Sequence, residues 1–384
     1  MACAMTRIAA IMLCVLIAVW AISYRFTARD VQPPADPFLS EMLSDKAEAR
    51  HYDRAAPDVL IRFPADHGAH ESFRHEWWYF TGNLRTRDDR EFGYQLTFFR
   101  FAHPRKPDIE NAWNNSQTWL GHLAVSDIAS GRFHTDQELS RQSLGLAGVE
   151  ATPFRVWLHG WSATDFGHMD ENGLSLELFA EGDGFGIDLE VRSAGPPVLQ
   201  GENGYSPKSH SGTPASHYYS YPAMTTSGQI QIGGMSHDVA GSTWMDREWS
   251  SGILQPGQSG WDWFALRLDD GSRIMAFQIR QEEGEPYRHA VLIRPDSRKQ
   301  HIEVVAMKPV RRWRSPATGI EYPIGWELEF SAPDGSISIA VESLMPDQEV
   351  DLMFRYYEGA VGLTGLYGNL GISGRGYMEM TGYR

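Results

Sequence analysis

The chain has 384 residues, with 34 Lys and Arg against 49 Asp and Glu and a formal net charge of −15. Nucleic acid is therefore not an expected partner, because phosphate binding needs a basic face. Hydrophobic residues make up 42% of the chain and charged residues 22%, which is typical of a globular protein and argues against disorder. At roughly 150 residues per domain, the length predicts two domains, or three.

An apolar run occupies residues 8–24, with Arg7 before it and Arg25 and Arg29 after it. Its 17 residues are near the lower limit for a membrane-spanning helix and somewhat long for a signal-peptide core. We predict a helical signal peptide or uncleaved membrane anchor within residues 1–29. The protein is expected to be exported in either case, and to be periplasmic or anchored in the membrane facing the periplasm or the exterior. A buried helix of a cytosolic protein is the alternative, which the lack of any polar face disfavours.

The cysteines exclude several kinds of site. Cys3 and Cys14 both lie near the N-terminus, so the folded part contains no disulfide, cysteine zinc site, iron–sulfur cluster or thiol nucleophile. There is no P-loop, dinucleotide fingerprint, His-Glu-x-x-His or Gly-x-Ser-x-Gly motif. His67, His70 and His75 cluster within nine residues but do not share a strand face, which argues against a metal site. No cofactor is expected.

The body of the chain has the pattern of an antiparallel β protein. After a proline-containing linker at residues 30–58, apolar and polar residues alternate at 174–179, 187–192, 326–330 and 337–341. Asp-Gly pairs between such runs are strong hairpin signals, and no helical period is evident. Roughly 325 residues are too many for one small barrel. We therefore predict two β domains, at residues 59–245 and 246–384.

Three segments depart from this alternation and concentrate aromatic and ionisable side chains. They are residues 75–80 (HEWWYF), residues 204–209 with 216–222, and residues 244–250 with 260–264. In the first, Trp77 and Tyr79 alternate with Trp78 and Phe80, which predicts burial on both faces, between a barrel interior and a second domain. His75 and Glu76, at the start of that strand, are candidate site residues.

The third segment places Trp244, Asp246 and Glu248 on one strand face and Met245, Arg247 and Trp249 on the other. Two carboxylates beside a Trp can form an acid site, because burial raises a carboxyl pKa towards neutrality. From composition alone a salt-bridged structural strand is favoured, since ion pairs also perturb pKa values. A two-carboxylate glycosidase is conceivable, but only the aromatic residues point to sugars.

The second segment, if extended, places His217, Tyr219 and Tyr221 on one face, and Pro222 should end that strand or put it at a sheet edge. These side chains either line a pocket or belong to a loop whose tyrosines cap backbone groups; the two interpretations are equally supported.

Eight runs occur in order along residues 60–384: HEWWYFTGNL, GYQLTFFR, GHLAVSD, GYSPKS, SHYYSYPAMTTSG, WMDREWSS, GWDWFALRLDDG and GYMEMTGY. In these runs the chain resembles the AttH / carotenoid 1,2-hydratase (CrtC) family. The resemblance implies two lipocalin-like (calycin-type) β-barrels packed side by side, in agreement with the alternation described above. Members of the family include hydratases that add water to a C=C bond of acyclic carotenoids, and related fungal proteins act on polyketides. Members are often labelled predicted secreted hydrolases or lipocalin-like domain proteins, and some accompany ABC-transporter components of the lipoprotein-export kind.

The resemblance also implies site roles. Asp246 matches the position of the acid, and His217 and Tyr219 match positions that orient the acid or the water. Glu248, on the same strand face as Asp246, is a further candidate catalytic residue in a supporting role. Trp244 can stabilise a developing cation. Hydratases of the family tend to have Tyr in place of Trp244 and Trp in place of Tyr219. Further ligand-binding candidates are Trp77, Tyr79, His75, Glu76, Tyr205, Tyr221 and Arg247.

The leading hypothesis is an exported or membrane-anchored two-barrel protein that binds an apolar terpenoid, polyketide or lipid and performs acid-catalysed hydration of a C=C bond. The alternative is a non-catalytic lipid- or lipoprotein-handling factor that works beside an ABC transporter. A secreted hydrolase ranks third, because no nucleophile motif supports it.

Overall fold

The computed structural model describes residues 51–103, 116–167 and 173–384. A short 3-10 turn, Ala65–His67, precedes the first strand. The first sheet contains β1 (His75–Arg85), β2 (Glu91–Ala102), β3 (Gln117–Asp127), β4 (Arg132–Arg141), β5 (Ala147–Ala151), β6 (Phe154–Leu158), β7 (Trp161–Asp165), β8 (Ser175–Gly182), β9 (Phe185–Ser193), β10 (Val198–Leu199), β11 (Tyr205–Pro207), β12 (Ala215–Ile232) and β13 (Met235–Ser250). The second contains β14 (Gln258–Leu268), β15 (Arg273–Gln281), β16 (Tyr287–Ile293), β17 (Lys299–His301), β18 (Glu303–Arg314), β19 (Glu321–Ala332), β20 (Gly335–Ser343), β21 (Glu349–Asp351), β22 (Arg355–Tyr367) and β23 (Leu370–Thr381).

Each sheet is an antiparallel meander that curls on itself. The first follows the order β4-β3-β2-β1-β13-β12-β9-β8-β7-β6-β5 and forms a nearly closed barrel, with β10 and β11 added to β12. The second follows the order β17-β16-β15-β14-β23-β22-β20-β19-β18 and forms a half-barrel, with β21 added to β22. Curling removes most of the exposed edges that would otherwise pair with other chains. The expected all-β fold of two packed lipocalin-like barrels is confirmed.

Four apolar clusters hold this arrangement together. One fills the first barrel, a second fills the half-barrel, and a third lies between them, with Tyr218 and Trp244 from the first sheet packed near Trp263 and Phe277 from the second. A fourth, smaller cluster joins β2 and β3 of the first sheet to β21 and β22 of the second. The alternation predicted from the sequence explains the two interiors, because every second residue of a strand turns inward. The third cluster requires strands that are apolar on both faces.

Strand β1 is such a strand, as the sequence predicts. Trp78 and Phe80 belong to the core of the first barrel, whereas Tyr79 and its neighbour Trp77 belong to the cluster between the barrels. Because β1 pairs with β2 on one side and β13 on the other, it forms part of the wall that separates the first interior from the second barrel.

The expectation that Pro222 ends its strand or lies at an edge is wrong. Strand β12 continues through it, with β13 as a neighbour along most of its length and β9 on its other side from Met224 onward. The pairing with β13 shifts between Tyr221 and Met224. A bulge at this point accommodates a residue that has no backbone N–H to donate.

The chain passes from one sheet to the other between Ser250 and Gln258, so the predicted division at residues 245 and 246 falls within β13. Within the described ranges, no helix is both long and apolar enough to cross a bilayer. The predicted N-terminal segment, residues 1–29, and the linker up to residue 50 lie outside those ranges.

Close packing of the barrels generates a stability prediction at Gly93 of β2. A Cβ at this position would lie 2.6 Å from the Cβ of Ala360 in β22. We expect Gly93→Ala to lower the free energy of unfolding by about 1–3 kcal/mol, because the two sheets would have to separate locally. Urea unfolding measures the change. Gly371→Ala is the matched control, since a Cβ there meets no atom within 4 Å; equal stability of the two variants would contradict the packing.

Candidate active site

A pocket lies between the barrels, with walls from β1, β2, β12 and β13 of the first sheet and β14, β15, β22 and β23 of the second. Its volume is about 90 Å³, several times what one water molecule needs. We call it the inter-barrel pocket. Its lining includes Trp77, Tyr79, Lys208, Tyr218, Asp246 and Glu248 on one side and Trp261, Trp263, Phe277, Tyr356, Glu358 and Glu379 on the other.

Asp246 is a buried carboxyl held by neutral donors. Its side chain is 4% exposed. The Tyr218 hydroxyl donates to Oδ2 at 2.7 Å, the Trp244 indole N–H donates to Oδ1 at 2.7 Å, and the Ser220 hydroxyl also donates to Oδ1. Burial raises the pKa of Asp246 to about 7, against the lowering effect of the three donors. Such a group can hold a proton near neutral pH and then lose it.

Strand pairing explains why these groups meet. Ser220 lies directly opposite Asp246, and Tyr218 directly opposite Glu248, in the β12–β13 ladder. Residues opposite each other in an antiparallel pair project from the same face of the sheet. Trp244 lies two residues before Asp246 on the same strand and therefore also faces the pocket.

Glu248 is ionically paired, unlike Asp246. Its Oε1 lies 2.8 Å from the Lys208 ammonium and also accepts a hydrogen bond from Ser216. The ammonium lies over the ring of Tyr218, at 5.3 Å, and that of Phe277, at 4.9 Å. The carboxylate of Glu248 and these two aromatic faces thus stabilise the buried ammonium of Lys208 at this end of the pocket.

Two more carboxyls face the pocket from the half-barrel, of which Glu358 is fully buried and Glu379 is half-buried. Glu358 of β22 and Glu379 of β23 are directly opposite each other in the ladder. Glu358 Oε2 accepts a hydrogen bond from the Tyr79 hydroxyl at 3.0 Å, and Glu379 accepts one from the Trp261 indole at 3.0 Å. Burial raises the pKa of Glu379 to about 8, and burial with the neighbouring Glu379 raises the pKa of Glu358 well above its ordinary value.

The structure brings five of the predicted site residues together. Asp246, Glu248, Trp77 and Tyr79 line the inter-barrel pocket. Trp244 donates to Asp246 and packs edge-to-face against Trp263, with ring centroids 6.2 Å apart.

Five others lie inside the first barrel, on the opposite face of the same strands. His217 and Tyr219 pair opposite Trp249 and Arg247, so they do not contact Asp246. Tyr219 is hydrogen-bonded to His67 at 2.6 Å. Burial lowers the pKa of His217 to about 4. Also on this side are Tyr221, Glu76 and Arg247.

Glu76 is held differently from Asp246. The guanidinium groups of Arg247 and Arg100 both contact its carboxylate. Burial alone would raise the pKa of Glu76, but these two cations hold it well below its ordinary range. Arg247 is itself placed over the rings of Trp78 and Trp249. This network is a fully ionised structural element of the barrel interior.

The last two predicted residues are outside both groups. His75 is buried at the start of β1, its ring parallel to that of Trp77 with centroids 6.4 Å apart. The Tyr205 hydroxyl donates to the Gly212 carbonyl at 2.8 Å.

Sequence reasoning missed Tyr218, Ser220 and Lys208 of the first barrel and Glu358 and Glu379 of the second. Tyr218 and Ser220 were missed because the register between β12 and β13 is not visible in the sequence. The alternation of side chains within β12 alone does not say which of its two faces lies beside Asp246. A usable signal existed for Glu379, a carboxyl between Met378 and Met380 in a strand-like run. In the described part of the chain, no cluster of three or more His, Cys, Asp or Glu is placed to hold a metal ion.

Comparisons with known proteins point to one family. The AttH-like family model matches residues 54–383. A solved structure assigned to AttH, from Nitrosomonas europaea, is 34% identical and superposes with a TM-score of 0.74, covering 86% of this chain and all of that one.

Kievitone hydratases are also similar to this chain. The enzyme of Fusarium solani subsp. phaseoli is 28% identical over 144 residues, which is 36% of this chain and 40% of the relative. The chain therefore matches less than half the length of this curated relative. The structure of kievitone hydratase from Nectria haematococca shares the fold, with a TM-score of 0.65 at 15% identity over 86% of this chain and 96% of that one.

The donors around Asp246 generate a prediction about its pKa. Tyr218→Phe removes the hydroxyl that stabilises the carboxylate, so we expect the pKa of Asp246 to rise by about 1–2 units. Infrared titration of the carboxyl band, assigned with Asp246→Asn, measures the change. Tyr219→Phe is the control, because Tyr219 lies on the other face of β12. An unchanged pKa in Tyr218→Phe would contradict the arrangement.

Proposed function

We propose that this chain, which belongs to the AttH-like family, catalyses the acid-dependent addition of water to a C=C bond of an apolar ligand bound in the inter-barrel pocket. The observation that carries the proposal is the Asp246 carboxyl, buried among aromatic side chains and held by three neutral donors rather than by a cation. The similarity to kievitone hydratase over part of the chain supports this class of reaction.

The residues suggest a balanced sequence of steps. Asp246 transfers its proton to one alkene carbon, so that a C–H bond forms, the π bond breaks and a carbocation remains. The faces of Trp77, Trp261 and Trp263, which line the pocket, stabilise that charge. Water attacks the cation to form the C–O bond and gives its excess proton to the Asp246 carboxylate. The acid is thereby restored.

The hydrogen bonds to Asp246 suit both halves of this cycle. Burial keeps the acid protonated near neutral pH, while Tyr218, Ser220 and Trp244 stabilise the carboxylate that forms once the proton has left. A terpenoid or prenylated polyketide supplies the required alkene and fits an aromatic wall.

We further propose export or membrane anchoring through residues 8–24, on the strength of their uninterrupted apolar sequence. The same apolar run and the same pocket would serve a non-catalytic lipid-handling protein working beside a transporter. Ligand retention without turnover is the outcome that would favour that second function.

Turnover tests the proposal. Acyclic terpenoids with trisubstituted alkenes are incubated with the full chain in heavy-oxygen water, and mass spectrometry detects the labelled alcohol. We expect Asp246→Asn to lower the rate at least about 100-fold, since the amide has no transferable proton. Asp238→Asn, an exposed position of the same strand, should leave the rate unchanged. Full activity in Asp246→Asn would refute the role of this acid.

The pH dependence provides a separate test. Only protonated Asp246 donates, so kcat/KM should be constant at low pH and fall about tenfold per unit as the pH rises above the pKa, which is about 7. In Tyr218→Phe the falling limb should move to higher pH. If kcat/KM falls at the same pH in Tyr218→Phe as in the wild type, the group that titrates is not Asp246.

A further inference from the structure

The Glu358 carboxyl, on the wall that the half-barrel contributes, takes no part in the steps above. It is fully buried, and the described residues offer it no salt-bridge partner. Among the residues that the structure describes, Lys208 is the one cation that lines the pocket, and it is already paired with Glu248. Glu379 stands directly opposite Glu358 across the ladder. Two adjacent carboxyls without a cation do not both ionise, so this pair retains a proton.

Glu358 is the more deeply buried member of the pair, which favours it as the neutral acid, and its hydrogen bonds indicate which oxygen carries the proton. Glu358 Oε2 accepts the Tyr79 hydroxyl, which leaves Oε1 as the oxygen that bears the proton of the neutral acid. Oε1 is buried and has no hydrogen-bond partner among the residues described. An unpaired buried donor costs on the order of 1–3 kcal/mol. A ligand in the pocket can remove this cost by presenting an acceptor.

We propose that Glu358 is a ligand-binding residue whose Oε1 hydroxyl donates a hydrogen bond to an uncharged oxygen of the ligand, such as a carbonyl or hydroxyl oxygen. The ligand is therefore an oxygen-bearing apolar molecule rather than a hydrocarbon. Asp246, Glu248 and Glu379 line the same pocket, and their carboxyls disfavour an anionic ligand. The inference shares its pocket with the proposed function, but it concerns binding and does not require turnover.

A matched pair of probes tests the hydrogen bond. Geranylacetone carries a ketone oxygen and two trisubstituted alkenes; the hydrocarbon with the same skeleton lacks the oxygen. Both are titrated against the full-length chain, and quenching of tryptophan fluorescence reports binding, since Trp77, Trp261 and Trp263 line the pocket. We expect Glu358→Leu to weaken ketone binding about tenfold and to leave hydrocarbon binding within about twofold. Thr364→Leu, at an exposed position of the same strand, should change neither.

A second variant keeps the test decisive if Glu358→Leu does not fold. Glu358→Gln retains an N–H donor at the position of Oε1 but cannot ionise. In the wild type, ketone affinity should fall at high pH as Glu358 loses its proton, whereas hydrocarbon affinity should not follow. In Glu358→Gln the preference for the ketone should persist without that pH dependence. The titratable groups that face Glu358 are Glu379, Tyr79, Tyr356 and Tyr377.

The outcomes separate this inference from the proposed function. Equal losses for both probes in Glu358→Leu, or an identical pH dependence of ketone binding in the wild type and Glu358→Gln, would overturn the role of Glu358. Asp246→Asn should abolish turnover yet keep the ketone preference. A ketone preference that depends on Glu358 in a protein without any turnover would support the binding role and refute the hydratase.

Discussion

A carboxyl buried without a cation is the constraint on which the centre of this molecule depends. Asp246 is surrounded by aromatic rings, and only three neutral donors compensate its burial. Glu76, across the same strand pair, is equally buried but contacts Arg100 and Arg247. The β1–β13 wall thus separates a fully ionised network inside the first barrel from an acid of raised pKa on its outer face. The pKa values of Asp246 and Glu76 shift in opposite directions because the two carboxyls have different partners, not because they are buried to different depths.

The second barrel completes this environment. Trp263 packs against Trp244 and donates to the Tyr218 hydroxyl at 3.3 Å, so the half-barrel excludes water from Asp246 and also orients one of its donors. The carboxyls that it contributes to the pocket are Glu358 and Glu379. A single lipocalin-like barrel would leave the outer face of β13 open to solvent, and the pKa of an exposed Asp246 would return towards its ordinary value. The raised pKa of Asp246 therefore depends on both barrels.

The fold class and the site residues on β13 could be predicted from the sequence alone. Alternation predicted an antiparallel β protein, and the family resemblance implied the two barrels. The alternation of faces within β13 correctly placed Asp246 and Glu248 together and Arg247 on the other side. The alternation of faces within β12 could not predict which of its residues lie beside Asp246. The pairing of His217 with Trp249 and of Ser220 with Asp246 depends on the register between β12 and β13, and a bulge near Pro222 interrupts that register. Glu358 lies more than a hundred residues from Asp246 in the chain, and no local pattern connects positions that meet only when two barrels pack.

The carboxyls on the two walls are suited to different tasks because their anions are stabilised unequally. When Asp246 loses its proton, three donors already point at the oxygens that take the charge, so the conjugate base is an accessible state. When Glu358 loses its proton, the hydrogen bond available to it among the described residues is the Tyr79 hydroxyl, and the charge forms beside Glu379. An acid that transfers a proton must be able to exist without it. Glu358 is instead stable as a neutral donor, which is the property that recognition of an uncharged oxygen requires.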